Sequence, residues 1–181
     1  MNNEGSQDTP TIIIVMGVSG CGKSTVAEAL AKHYAFTFLD ADDFHSEENK
    51  AHMAAGKPLT DVMRLPWIYT MREYIQTQAQ LGNSCTLAYS GLRKAHRNIL
   101  RDTDMKTIYI YLHGSKELIA ERLAWRNNHF MANSLIDSQF ESLEDPRQEK
   151  DVITIEIDRE LSDVLQDIYG KIAIFPDSPR T

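Results

Sequence analysis

The stretch Ile12-Ile13-Ile14-Val15-Met16-Gly17-Val18-Ser19-Gly20-Cys21-Gly22-Lys23-Ser24 decides the reading of this chain. Its apolar, β-branched opening reads as a buried strand and its glycines as a tight loop. The next residues, Thr25-Val26-Ala27-Glu28-Ala29-Leu30-Ala31-Lys32, suit a helix. Residues 17–24 match G-x-x-x-x-G-K-[ST] in the strand–loop–helix setting that the motif's mechanism requires. Loop amides left free at a helix N-terminus, reinforced by the helix dipole, form an anion cradle. Lys23 supplies a full charge for the β- and γ-phosphates, and the Ser24 hydroxyl is a magnesium ligand. The expected occupant is a polyphosphate nucleotide, held by residues 17–24 and by Thr25.

Outward from this loop, β-type runs alternate with helical stretches. The pattern predicts strands over 12–16, 37–40, 84–89, 107–112 and 152–157. It predicts helices over 23–34, 47–55, 64–81, 94–101, 115–125, 133–143 and 161–174. Strands separated by helices imply an α/β fold, a parallel sheet with helices on both faces. Ligands on such sheets gather at the carboxyl ends of the strands. No repeat or linker divides the chain, so a single domain over 1–181 is expected. Residues 1–10 and 176–181 read as flexible tails.

A length of 181 residues suits one domain with a sizeable core. The net charge of −7 argues against a general nucleic-acid binder, which would be basic. Any anion site must therefore gather its cations locally. No apolar stretch approaches the ~20 residues of a membrane span, so no membrane partner is expected. The polar N-terminus does not read as a signal peptide, so a cytoplasmic location is expected. Two cysteines, Cys21 and Cys85, make no disulfide framework. Cys21, at a helix N-terminus beside Lys23, reads either as a redox-sensitive thiol or as a small residue that fits the loop.

Asp40 and Asp42 form a D-x-D at the end of the second predicted strand. Extended backbone there would turn both carboxylates to one side, near the phosphate loop. Asp40 is assigned to the metal shell and Asp42 to the acceptor hydroxyl. The competing reading is a helix cap. Lys94, Arg97 and Arg101 share a helical face at i, i+3 and i+7. Lys94 and Arg97 are expected to hold an anionic acceptor, whereas Arg101 reads as solvated. Arg122 and Arg126, at i, i+4 before a polar loop, suit a lid over a transferring phosphate or an ordinary helix C-terminus. His45 and Asn49 are candidates for the acceptor pocket. Trp67, Tyr69, Trp125, Tyr109 and Tyr111 read as core or half-buried packing.

With these residues in view, the chain resembles the gluconate kinases (gluconokinases) of the small P-loop type, related to shikimate and adenylate kinases. The resemblance runs from about residue 12 to 157. It is carried by M-G-V-S-G-x-G-K-S at 16–24, F-L-D-A-D-D-F-H at 38–45, Asn49 and Met53. G-x-P-L-x-D-x-x-R-x-P-W at 56–67 is its most specific mark. S-x-L-[KR]-K-x-x-R at 90–97, His129-Phe130, and Q-F-x-x-L-E-x-P at 139–146 complete it. Departures from the pattern are Val62, Met63, Tyr89, Arg93, His96 and Asn128, clustered at the acceptor side.

The resemblance implies a three-layer P-loop kinase fold, with five parallel strands in the order 2-3-1-4-5 and a lid over about 124–138. It implies transfer of the ATP γ-phosphoryl group, with Mg2+, to the 6-hydroxyl of D-gluconate, in a homodimer. It places Asp61, Arg64, Ser90 and His129 with the acceptor, alongside Asp42, His45, Lys94 and Arg97. Lys23, Asp42 and Arg126 are then the catalytic set, with Arg122 on the nucleotide. The loop over 146–151 would hold the adenine. Two alternatives stay open at this point: a kinase for another small sugar acid, or a catalytically weak nucleotide-binding paralogue acting as a sensor or partner.

Overall fold

A computed structural model describes residues 8–127 and 133–176, without the side chains of residues 126, 127, 133 and 134. His129 and Asn128 therefore lie outside the described residues, as does the side chain of Arg126. The strands are β1 (Thr11–Met16), β2 (Thr37–Asp40), β3 (Cys85–Ala88), β4 (Lys106–His113) and β5 (Val152–Glu156). The helices are α1 (Lys23–Tyr34), α2 (Glu47–Ala54), α3 (Asp61–Gln80), α4 (Lys94–Arg101), α5 (Lys116–Asn127), α6 (Asn133–Ser142) and α7 (Leu161–Ala173). A 3-10 turn, Ala41–Phe44, follows β2.

All five strands pair in parallel, in the order β2-β3-β1-β4-β5. The central strand β1 is wholly buried, which explains its unbroken apolar run. Its side chains alternate between two cores, as period-2 geometry requires. Ile13 and Val15 meet Ala27 and Leu30 of α1, Ile119 of α5, and Val164, Ile168 and Ile172 of α7. Ile12, Ile14 and Met16 meet Ile68, Met71 and Ile75 of α3 and Leu100 of α4. Helices thus cover both faces. Burying a side chain of this size stabilises by roughly 1.5–3 kcal/mol, so β1 anchors the molecule.

The order places a topological switch at β1, where the chain turns first toward β3 and β2 and later toward β4. A crevice must open there, at the carboxyl ends of the strands. The register sets its depth. Val15 stands level with Ala88, and Ala88 with Asp40. Asp40 thus ends β2 at the height where β1 feeds the phosphate loop, two strand spacings or about 9.6 Å away.

One boundary differs from expectation in an informative way. Helix α3 begins at Asp61 rather than 64, because the Thr60 hydroxyl caps it by accepting from Met63 N at 3.2 Å. Pro66 then sits inside the second turn at the loss of one backbone hydrogen bond. Near each end of the described residues the chain meets Lys106. Pro10 O accepts from Lys106 N at 2.9 Å, and Pro176 O accepts from the Lys106 ammonium.

Candidate active site

The phosphate loop takes its shape from close approaches that only glycine allows. Gly17 has φ +147°, and a Cβ there would stand 2.8 Å from Cys21 Sγ and 3.0 Å from Leu112 O. At Gly20, φ +83°, a Cβ would stand 2.7 Å from Leu123 Cγ of α5. Its rim is fixed to the segment just after β3, since Gly17 N donates to Ser90 O at 3.1 Å. Helix α1 opens on Gly22 with no side-chain cap and no acid in its first turn. Its first amides and its dipole are left for an anion. Lys23 Nζ donates to Val18 O at 3.1 Å, folded over the same loop.

Opposite the loop, Ser24 Oγ donates to Asp40 Oδ2 at 3.2 Å. Asp40 Oδ1 also accepts from Asp42 N at 3.0 Å and so caps the 3-10 turn. The cap reading of Asp40 thus holds for one carboxylate oxygen, while the other faces the Ser24 hydroxyl. The backbone does not stay extended through Asp42, as the D-x-D reading assumed; it coils into the turn. Asp42 nevertheless lines the same cavity as Asp40, Lys23 and Ser24.

That cavity, about 500 Å3, reaches from the phosphate loop to α3 and α4. Its far wall is aromatic. The Trp67 indole donates to Ala41 O at 2.8 Å and so ties α3 to the 3-10 turn. It stacks on His45 at 3.9 Å and meets Tyr89 edge-on at 5.5 Å. His45 is buried, and its Nδ1 has no protein partner. Burial holds its pKa below the ordinary value, against the pull of Asp42. His96 is likewise held down by burial. The cations on this wall are Arg64 and Arg93, with Ser90 between the strand end and α4.

Several expected acceptor ligands lie elsewhere. Arg97 is 0% exposed and donates four hydrogen bonds within the protein. Two go to Glu149, at 3.1 and 2.6 Å, one to Gly91 O at 2.6 Å and one to Glu144 O at 3.1 Å. Lys94 is exposed on the outer side of α4. The helix is turned so that Arg93 and His96 face the cavity, while Arg97 and Leu100 face inward. Arg101 is not a solvated cation: it pairs with Asp151 and Glu149, both at 2.7 Å. Asn49 serves structure, donating to Met63 O at 3.3 Å. Asp61 pairs at 3.4 Å with Arg64 and is more than half exposed.

The 146–151 loop carries those acids to Arg97 and Arg101, and the groove beside it is not lined by the phosphate loop. A second groove, about 540 Å3, does adjoin it. Cys21, Thr25 and Val26 form one side, Arg122 and Trp125 of α5 another, and Ile157, Asp158 and Arg159 the third. The Arg122 guanidinium donates to Ile157 O. Trp125 is 83% exposed and so is not packing, whereas Tyr69, at 50%, is half-buried as expected. The Cys21 thiol is buried, and burial pushes its pKa up despite Lys23; it is a small residue that fits the loop, not a reactive thiolate.

Arg93, His96 and Gln139 are cavity residues that spacing did not reveal. Charge spacing on an eight-residue helix leaves its rotation about the axis open. Gln139 opens the Q-F-x-x-L-E-x-P mark but reaches the loop from 120 positions along the chain, so no spacing tied the two together.

Comparison with known proteins agrees with this geometry. A family model described as an AAA domain matches residues 12–148. The chain is 38% identical to a probable gluconokinase of Xenopus tropicalis over 176 residues, 89% of this chain and 93% of that one. It is 36% identical to the thermoresistant gluconokinase of Escherichia coli K12 over 155 residues, 85% and 89% of the two chains. The crystal structure of a gluconokinase from Sinorhizobium meliloti 1021 superimposes with a TM-score of 0.83 at 35% identity, covering 91% of this chain and 93% of that one. Matches of this identity and coverage, on a fold whose switch point holds the phosphate loop, place the chain in the gluconokinase family.

Proposed function

We propose that this chain transfers the γ-phosphoryl group of ATP to the 6-hydroxyl of D-gluconate, giving 6-phosphogluconate. The carrying observation is that the phosphate loop, the Ser24–Asp40 contact, Asp42 and two arginines line one cavity. Phosphoryl transfer needs little covalent work from a protein; it needs alignment and charge stabilisation. Loop amides and Lys23 hold the phosphates, and Arg126 is assigned to the transferring group. Asp42 accepts the proton of the attacking hydroxyl. Arg64 and Arg93 hold the gluconate carboxylate, with Ser90, His45 and His96 on its hydroxyls. Lys94 and Arg97 leave the acceptor set; Asp61 supports Arg64, and His129 is kept as an acceptor ligand. The groove at Arg122 and Trp125 takes the base.

The donors available for magnesium fit it: a hydroxyl and a carboxylate oxygen 3.2 Å apart at the cradle's edge. No cluster of three or more His, Cys, Asp or Glu suited to a metal occurs among the described residues, so the ion would be shared with nucleotide phosphates. When bound, it would neutralise phosphate charge. A single domain with a lid over about 124–138, a homodimer and a cytoplasmic location belong to the same proposal. Among the described residues no helix is long and apolar enough to cross a membrane. The alternatives, another sugar acid or a weak paralogue, are not favoured by the relatives, which carry the gluconokinase name.

The test is ADP release with ATP and Mg2+ across a panel of sugar acids. Gluconate is expected to exceed every other acceptor in kcat/KM by at least about tenfold. Preference for a different acid would overturn the substrate, and binding of ATP and gluconate without product would overturn the activity.

A further inference from the structure

Gln139 of α6 holds Ser19 by both of its polar groups. Ser19 N donates to Gln139 Oε1 at 2.6 Å, and Gln139 Nε2 donates to Ser19 Oγ at 2.7 Å. The amide's orientation follows from this pair, since only its oxygen can accept from a backbone N–H. Ser19 lines the acceptor-side cavity and not the base groove, whereas Cys21 lines the groove and not the cavity. Along the loop, Ser19 is therefore on the side where the transferring phosphate must lie. The loop's other terminal-phosphate donor, Lys23, likewise rests on a protein acceptor, Val18 O at 3.1 Å.

We propose that Gln139 is a positioning residue whose side-chain oxygen competes with the terminal phosphate for the Ser19 amide: it yields that amide to a triphosphate but not to a diphosphate. The inference rests on the nucleotide reading above and adds to it a device that separates substrate ATP from product ADP. A triphosphate takes the Ser19 N–H, so α6 loses one of its two bonds to the loop. A diphosphate does not reach Ser19, and both bonds persist. The loop's contact with α5, Leu123 against Gly20, is apolar and indifferent to phosphate. Discrimination thus falls on the polar contact from α6.

Two variants of the full chain separate this role from mere support. In Gln139→Ala the Ser19 amide has no competitor, and the affinity ratio of the β,γ-imido analogue of ATP to ADP, measured by calorimetry, is expected to rise about three- to tenfold. In Gln139→Glu a carboxylate keeps the amide and repels the incoming phosphate, and the ratio is expected to fall at least tenfold, with ADP affinity changed less than about threefold. Amide exchange over residues 135–142 in the wild type is expected to quicken with the triphosphate analogue and not with ADP. A purely supporting glutamine would weaken both nucleotides together; unchanged ratios, or ratios moving the same way in both variants, overturn the proposal. If the wild type binds neither nucleotide, the nucleotide reading itself fails, a result distinct from normal binding with unchanged ratios.

Discussion

Replacing Arg97 by Met separates a residue that holds the fold from one that holds substrate. The guanidinium is fully buried and donates to Glu149 twice, to Gly91 O and to Glu144 O. Methionine keeps the apolar stem but none of these bonds. Removing one partner of a buried ion pair costs about 3–5 kcal/mol, chiefly from the charge left behind. Here Glu149 keeps Arg101 at 2.7 Å, so the lower end, about 3 kcal/mol, applies. For a chain of this size that is about 6–12 °C in Tm. The assay is thermal denaturation followed by circular dichroism, with gluconate KM measured well below the transition. The expected result is the lowered Tm with KM within about threefold of wild type. A Tm unchanged within about 2 °C, together with a hundredfold rise in KM, would put Arg97 on the acceptor and refute the placement of α4.

Lys23→Ala is expected to abolish turnover, with a Tm within a few degrees of wild type, since its ammonium makes only one bond to the loop; turnover near wild type would refute its role. Stability is expected to fall as pH drops below about 6.5. Burial holds the pKa values of His45 and His96 down in the folded chain, so the unfolded chain takes up protons first and the stability present above that pH is lost through the window beneath it. Melting at pH 7.5 and 5.5 checks this, and a His45→Gln/His96→Gln double variant is expected to show a smaller fall; an equal fall in both proteins would assign the effect to other groups.

What was legible in the sequence was local or periodic. The run from Ile12 to Met16 announces a buried central strand because both of its faces are apolar, and the loop after it reads as a phosphate cradle because a strand precedes it and a helix follows. Asp40 was legible because a strand's end fixes its height in the sheet. The rotation of α4 was not, because Lys94, Arg97 and Arg101 make an equally good basic face whether it meets substrate or acids. Only the return of Glu149 and Asp151 from about fifty residues further on decides it. The groove proposed for the base was not legible for the same reason: it joins α1, α5 and the loop after β5, three segments that meet only in space. Gln139 belongs to the same class.

The claim on which the account turns is that the acceptor hydroxyl meets the terminal phosphate at Asp42. Asp42→Asn keeps the shape of the turn and removes the proton acceptor, so kcat is expected to fall at least about a hundredfold while the dissociation constant for ATP stays within about twofold. Loss of ATP binding in proportion to the loss of turnover, or turnover within a few fold of wild type, would contradict it.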